Sequence, residues 1–276
     1  MYGTDRFTEL VQGAEEDITL DAACLLIAAR TRSAADPDAV VAAGRAELDD
    51  LAGGCAGATL DDVRAHLFGT LGFTGNRLHY EDPRNSFLDD VLARRTGIPI
   101  TLAVVVIEVG RRLGLRLDPV GMPGHFLVGA GQGWYLDAFE GGRLLDEEGC
   151  RNRFHELAGP GAPWSRDLLD PVGPRAVVSR VLANLRAVYA RSQNIQRLDG
   201  VLELRQAIPG AGDEERAERA SVLAALGRYD EAARQLELLA DAAAAQGRHP
   251  SGGPAPDDGA AAALRSRAAR LRARLN

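Results

Sequence analysis

With 276 residues and 46% hydrophobic content, the chain has enough apolar material for a sizeable core and about two domains. A net charge of −7 argues against a general nucleic-acid partner. No apolar run approaches the ~20 residues of a membrane helix and no signal-peptide stretch opens the chain, so a cytoplasmic protein without membrane attachment is expected.

All 32 basic residues are arginine, which excludes a Walker-type phosphate loop, a Schiff-base lysine and a lysine base. Cys24, Cys55 and Cys150 are scattered without a CxxC pair, which excludes a disulfide framework or a cysteine-based zinc site. His66, His79, His125, His155 and His249 are isolated, with no HExxH spacing, so neither a metal nor a cofactor is expected.

Residues 1–70 read as helical. Leu25, Leu26 and Ile27 centre a buried helix over 22–30, with Cys24 as a small core residue. Asp36-Pro37-Asp38 starts a helix through Leu51, ended by the Gly-rich loop at 53–57, and Thr59-Leu60-Asp61-Asp62 resembles another helix start. Residues 72–76 then read as a turn and 80–86 as a polar loop before a short helix over 87–95. Asp82 and Asn85 favour local bonds to backbone, which suits either a capping segment or the rim of a binding cleft. Pro99 belongs in the first turn of the most apolar helix, Leu102–Leu113, whose run Leu102–Ile107 is apolar all round and therefore central. Glu108, in its middle, needs an arginine partner or a surface position.

Strands are expected at 115–120, 126–130 and 134–139, with a further short one at 143–145 before a helix opened by Asp146. A buried helix followed by an antiparallel sheet is an α+β arrangement. The segment around 126–137 is the strongest hairpin signal. A turn centred on Gly131 would set Val128 opposite Trp134 and His125 opposite Asp137, with Cβ atoms about 4.5–5.5 Å apart. A carboxylate at that distance fixes the imidazole tautomer and raises its basicity, as a base needs; a buried histidine satisfied by an acid is the plainer alternative.

The Gly/Pro-rich segment 161–174 reads as a linker between a first domain, 1–160, and a helical domain, 175–276. Laying Ala187–Leu204 on Ser221–Leu238 gives a repeat of 34 residues, the period of the tetratricopeptide helix pair. A flexible break at 251–259 precedes a last, arginine-rich helix, either a capping helix or a basic interaction tail.

Gly72-Phe73-Thr74-Gly75-Asn76, Asp82-Pro83-Arg84-Asn85-Ser86-Phe87-Leu88, Gly97-Ile98-Pro99-Ile100-Thr101-Leu102 and Pro123-Gly124-His125-Phe126-Leu127-Val128 occur in this order. Together they resemble the bacterial SirB-like family, in which a transglutaminase-like domain precedes tetratricopeptide repeats. The resemblance implies a papain-like α+β core over about 72–157, a central helix on an antiparallel sheet, followed by an all-α unit. In active transglutaminase-like enzymes a cysteine opens the central helix, and a histidine and an aspartate follow on adjacent strands. His125 and Asp137 match the latter two, while Pro99 stands where the cysteine belongs. None of the three cysteines is near that helix start in sequence, and Cys150 would have to fold back to reach it.

Three readings follow. In the first, the protein has lost covalent chemistry and binds a peptide or protein in the retained cleft, lined by Asp82, Asn85, Pro99, Gly124 and Tyr135. In the second, a cysteine-independent enzyme uses the candidate catalytic pair His125–Asp137 with Thr101 or a water to act on amide bonds. In the third, the pair only braces an assembly factor.

Overall fold

A helix that is apolar on every side must be covered on every side, and the chain is arranged to do this for Pro99–Arg112. The computed structural model describes residues 5–210, 212–246 and 258–275. They fall into two compact units, Met1–Val188 and Tyr189–Asn276.

The first unit opens with α1 (Arg6–Gln12), α2 (Leu20–Thr31), α3 (Pro37–Gly53) and α4 (Leu60–Arg64), the last continued by a wider π turn at Ala65–Thr70. Asp36 caps α3 by accepting from the Ala39 N–H, and Thr59 with Asp62 forms a capping box on α4. Next come β1 (Thr74–Gly75), α5 (Leu88–Arg94), β2 (Thr96–Gly97) and α6 (Pro99–Arg112). The expected turn at 72–76 thus contains a short strand, β1, paired in parallel with β2. In α6 every residue from Pro99 to Gly110 is buried, under α2, α3 and α5 on one side and the main sheet on the other.

That sheet is fully antiparallel, in the order β3 (Asp118–Val120), β4 (Leu127–Gly129), β5 (Tyr135–Asp137) and β6 (Arg143–Leu145), with α7 (Glu147–Ala158) after it. The hairpin register differs from the expected one: Val128 pairs with Leu136 and Gly129 with Tyr135. Gly131, Gln132 and Gly133 all have positive φ and form a three-residue loop, so the turn centres on Gln132. A slip of two residues preserves the face of every side chain, whereas a slip of one would have parted His125 from Asp137.

Residues 161–174, expected as a linker, belong to the first unit. Trp164 and Leu168 pack with buried Leu169 on Val120, Tyr135, Cys150 and Phe154, and Pro171 bridges to Val120. Its Gly and Pro residues shape a packed return, and the division of the chain falls instead within the next helix, α8 (Pro174–Arg191).

Buried polar charge is concentrated at the far end of α6. Asp21 is fully buried and accepts from Arg45 and Arg112, while Glu108 accepts from Arg111 and Arg112 and from the Asp21 N–H. Glu108 thus takes the arginine-paired alternative.

The second unit contains α9 (Ile195–Ala207), α10 (Asp213–Ala225), α11 (Tyr229–Gln246) and α12 (Asp258–Arg272). Its core joins Ala220, Leu223, Ala232, Leu236 and Leu239 to Ala268 and Leu271 of α12. The α12 arginines are not a free basic tail: Arg272 pairs with Asp230 and Glu237, and Arg265 with Asp241. His249 and most of the expected break at 251–259 lie outside the described residues.

Candidate functional site

The sequence Met122-Pro123-Gly124-His125 closes a β-turn, with the His125 N–H donating to the Met122 carbonyl at 3.0 Å and Gly124 at φ +74°. Proline at the second place and a left-handed glycine at the third are what a type II turn requires. The turn delivers His125 two residues ahead of β4 with its ring against Asp137 of β5. His125 Nε2 lies 2.8 Å from Asp137 Oδ2, and both side chains are buried. The other Asp137 oxygen accepts from the Phe139 and Glu140 N–H groups at 3.1 and 3.2 Å, and Arg153 Nε stands 3.8 Å from Oδ2. A carboxylate fixed in this way accepts a hydrogen bond from the imidazole Nε2–H, which keeps the ring proton on Nε2 and leaves the Nδ1 lone pair for another partner. The Phe139 ring packs edge-on to His125 and to Tyr80. Gly75 leaves room for it, since a Cβ there would meet that ring at 2.4 Å.

Beside His125 opens a cleft of about 240 Å³, lined by Tyr80, Pro99, Ile100, Gly124, His125, Phe126, Arg180 and Asn184. Its floor is the first turn of α6, and one wall is α8 through Arg180 and Asn184, four residues apart and therefore on one helix face. Arg180 Nη2 donates to the Met122 and His125 carbonyls at 2.8 and 2.7 Å, holding both ends of the turn, and its guanidinium lies over the Phe126 ring. Gly124→Ala is expected to lower stability by about 1 kcal/mol, because a left-handed alanine is strained even where there is space. A thermal melt compared with Gly131→Ala, at φ +79° but outside the cleft, would check this.

Of the residues expected at the site, His125, Pro99 and Gly124 line the cleft, and Asp137 supports it from behind. Four others are placed elsewhere. The Thr101 hydroxyl is fully buried, donates to the Asn85 carbonyl at 2.7 Å and accepts from the Ile98 N–H at 3.2 Å. It ties the helix start to the preceding loop, and its position one turn into α6 points it there. Asn85 is buried as a clamp, donating to the His79 and Tyr80 carbonyls and accepting from Asn76. Asp82 caps the 83–86 turn and pairs with Arg84 and Arg94, lining a separate groove of residues 77–84. Tyr135 is enclosed by Val120, Cys150 and Phe154, because α7 covers that end of its sheet face. The cysteines offer no nucleophile here. Burial pushes the thiols of Cys24 and Cys150 up to about 12, and neighbouring carboxylates add to the rise.

Arg180, Asn184, Tyr80, Ile100 and Phe126 were not singled out from the sequence. The available signal was a polar pair spaced i, i+4 within the apolar row Val177, Val181 and Leu185 of one helix.

The arrangement, a helix start beside a histidine just ahead of one strand and an aspartate on the neighbouring strand, is that of a transglutaminase-like domain. The model of the transglutaminase-like superfamily matches residues 20–183, and the chain belongs to that superfamily in its SirB-like branch. A UPF0162 protein of Xylella fastidiosa (strain Temecula1) is 47% identical over 141 residues, 49% of this chain and 50% of the relative. F-box only protein 21 of Mus musculus is 33% identical over 52% of this chain and 24% of its own length. Protein SirB1 of Salmonella typhimurium is 27% identical over 50% of this chain and 52% of its own. The chain therefore spans half or less of the length of the first of these relatives. No solved structure matches significantly. Among the described residues no helix is long and apolar enough to cross a membrane.

Proposed function

We propose that the protein holds a peptide or protein partner in the cleft beside His125 and does no covalent chemistry on it. The observation that carries this reading is the start of α6. Pro99, where active transglutaminase-like enzymes have cysteine, lines the cleft and offers no nucleophile. Thr101, two residues further along the helix, is committed to the Asn85 carbonyl, and its alkoxide would be far harder to form than a thiolate. The match to an F-box protein and to SirB1 fits a protein-binding role. The second unit is read as tetratricopeptide-like, with α9 and α11 starting 34 residues apart (195 and 229), and as a further surface for a protein partner. The site of action proposed is the cytoplasm, in keeping with three free cysteines.

A second reading keeps catalysis. With Nε2 held by Asp137, His125, which lines the cleft, keeps an Nδ1 lone pair that could take a proton from water, making the protein an amide hydrolase without cysteine. One experiment separates the two. Wild-type, His125→Ala and cleft-filling Asn184→Trp proteins are immobilised, exposed to a bacterial lysate, and the retained proteins analysed by mass spectrometry. Binding predicts that wild type and, more weakly, His125→Ala retain the same unmodified partner and that Asn184→Trp loses it. Cleavage or covalent modification by wild type alone would overturn the binding reading in favour of His125 catalysis.

A further inference from the structure

The cleft contains a cation without an anion. Arg175, on the same helix as Arg180, pairs with Glu15, and Arg153 behind the site pairs with Glu140 and Glu156. Arg180 has no carboxylate partner among the described residues. Its Nη2 is engaged by two neutral carbonyls, and its Nε and Nη1 hydrogens have no partner there. A part-buried guanidinium over Phe126, with Tyr80 in the same cleft and no counter-charge, is poorly solvated: burial draws its pKa below the ordinary arginine value, and the Tyr80 phenol offsets this only in part. Natural chains pair buried arginines because an uncompensated charge is costly. Arg180 and the two polar groups beside it, Asn184 and His125, are complementary to a single kind of guest. Arg180 and the Asn184 amide offer donors, and His125 Nδ1 offers an acceptor 12 residues in sequence from the aspartate that sets its tautomer. Pro99, Ile100 and Phe126 supply apolar walls. At about 240 Å³ the space is smaller than a drug-sized site and suits one residue.

Resting on the peptide-binding reading above, we propose that the cleft is a carboxylate pocket: Arg180 binds a carboxylate of the partner, Asn184 supports it, and His125 Nδ1 accepts an N–H from the partner's backbone. The carboxylate comes either from a chain terminus or from an acidic side chain. Guanidinium and carboxylate form a two-pronged, charge-assisted pair, so most of the selectivity sits on this contact.

The test uses three probes of nearly equal size and shape. N-acetyl-glutamine carries a terminal carboxylate, N-acetyl-glutamate methylamide a side-chain carboxylate, and N-acetyl-glutamine methylamide neither. Each is titrated into the isotope-labelled full chain at fixed ionic strength, following the Arg180 Nε–H, Asn184 amide and His125 imidazole signals. At least one acid is expected to bind roughly tenfold or more tightly than the neutral amide, through shifts at all three residues. The stronger acid identifies the source of the carboxylate. Arg180→Gln is expected to bring acid and neutral probes to equal affinity, and Arg180→Lys to restore part of the difference. Because Arg180 also holds the 122–125 turn, the comparison of probes on wild type stands even if either variant fails to fold. Equal binding of all three at the cleft would overturn the carboxylate pocket and leave peptide binding intact. No shift at the cleft with any probe would also overturn it; loss of the lysate partner by Asn184→Trp would then show that peptide binding survives on its own.

Discussion

Replacing Asp21 by asparagine is expected to lower the unfolding free energy of the first unit by about 3 kcal/mol, the range seen when one member of a buried ion cluster is removed. Asp21 is fully buried and receives Arg45 Nε and Nη2 at 3.2 and 3.1 Å and Arg112 Nη2 at 2.9 Å, with Arg111 at 3.5 Å. Burial alone pushes its carboxyl up, but the bonds from Arg45, Arg112 and Thr19 outweigh that and hold it down at about 2. The asparagine would leave Arg112, 12% exposed, with its charge answered by Glu108 and the exposed Asp49. The sign with pH follows. A carboxyl at 3.8 when unfolded and about 2 when folded stabilises fully above pH ~4, and that contribution disappears as pH falls toward 2. Its size is about 2 kcal/mol. Both tryptophans, Trp134 and Trp164, lie in the first unit, so their fluorescence in urea reports this unit alone. The gap between wild type and Asp21→Asn should narrow between pH 4 and 2. A gap that stays constant would mean that Asp21 stabilises by shape and not by charge.

The cluster also shows where the sequence was informative. Glu108 inside an apolar helix needed an arginine or a surface position, and the continuous apolar run after Pro99 located α6 to within a turn, because helix burial is a one-dimensional pattern. The hairpin was legible to the same degree. Two-residue alternation placed His125 and Asp137 on one face, although the turn centre was missed through the positive φ of Gln132, a property few side chains signal. Arg180 was not legible. With arginine as the only basic residue, no single one stands out, and its meaning depends on α8 returning to the 122–125 turn across 55 residues of chain. The same return misled the reading of 161–174, where Gly and Pro marked a bend in a packed segment and not a gap between domains. Tyr135 and Thr101 failed for a related reason. Their residue types suit a cleft, but which neighbour covers each side chain is a tertiary fact.

The largest effect at the site is expected from Asp137→Ala, about 4 kcal/mol, against about 2 kcal/mol for His125→Ala. Removing the carboxylate leaves His125 Nε2 and the Phe139 and Glu140 N–H groups without their acceptor in a buried place, and Arg153 with one nearby negative charge fewer. Removing the imidazole leaves Asp137 its two backbone donors and costs mainly the contact with Phe139. The double variant should therefore be little worse than Asp137→Ala, and a coupling of about 1–2 kcal/mol in urea denaturation would measure the pair. Asp137→Asn separates support from function. Its Oδ1 can still accept from Phe139 and Glu140, so most of the stability should remain. Its amide, however, would donate to His125 Nε2 and drive the ring proton to Nδ1, turning the atom offered to the cleft from acceptor to donor. Imidazole nitrogen shifts would confirm the change of tautomer. A stable Asp137→Asn protein that no longer holds its partner assigns the pair to function, since the fold is kept and only the proton has moved. Full retention of the partner with the tautomer reversed would reduce His125 and Asp137 to a brace between β4 and β5.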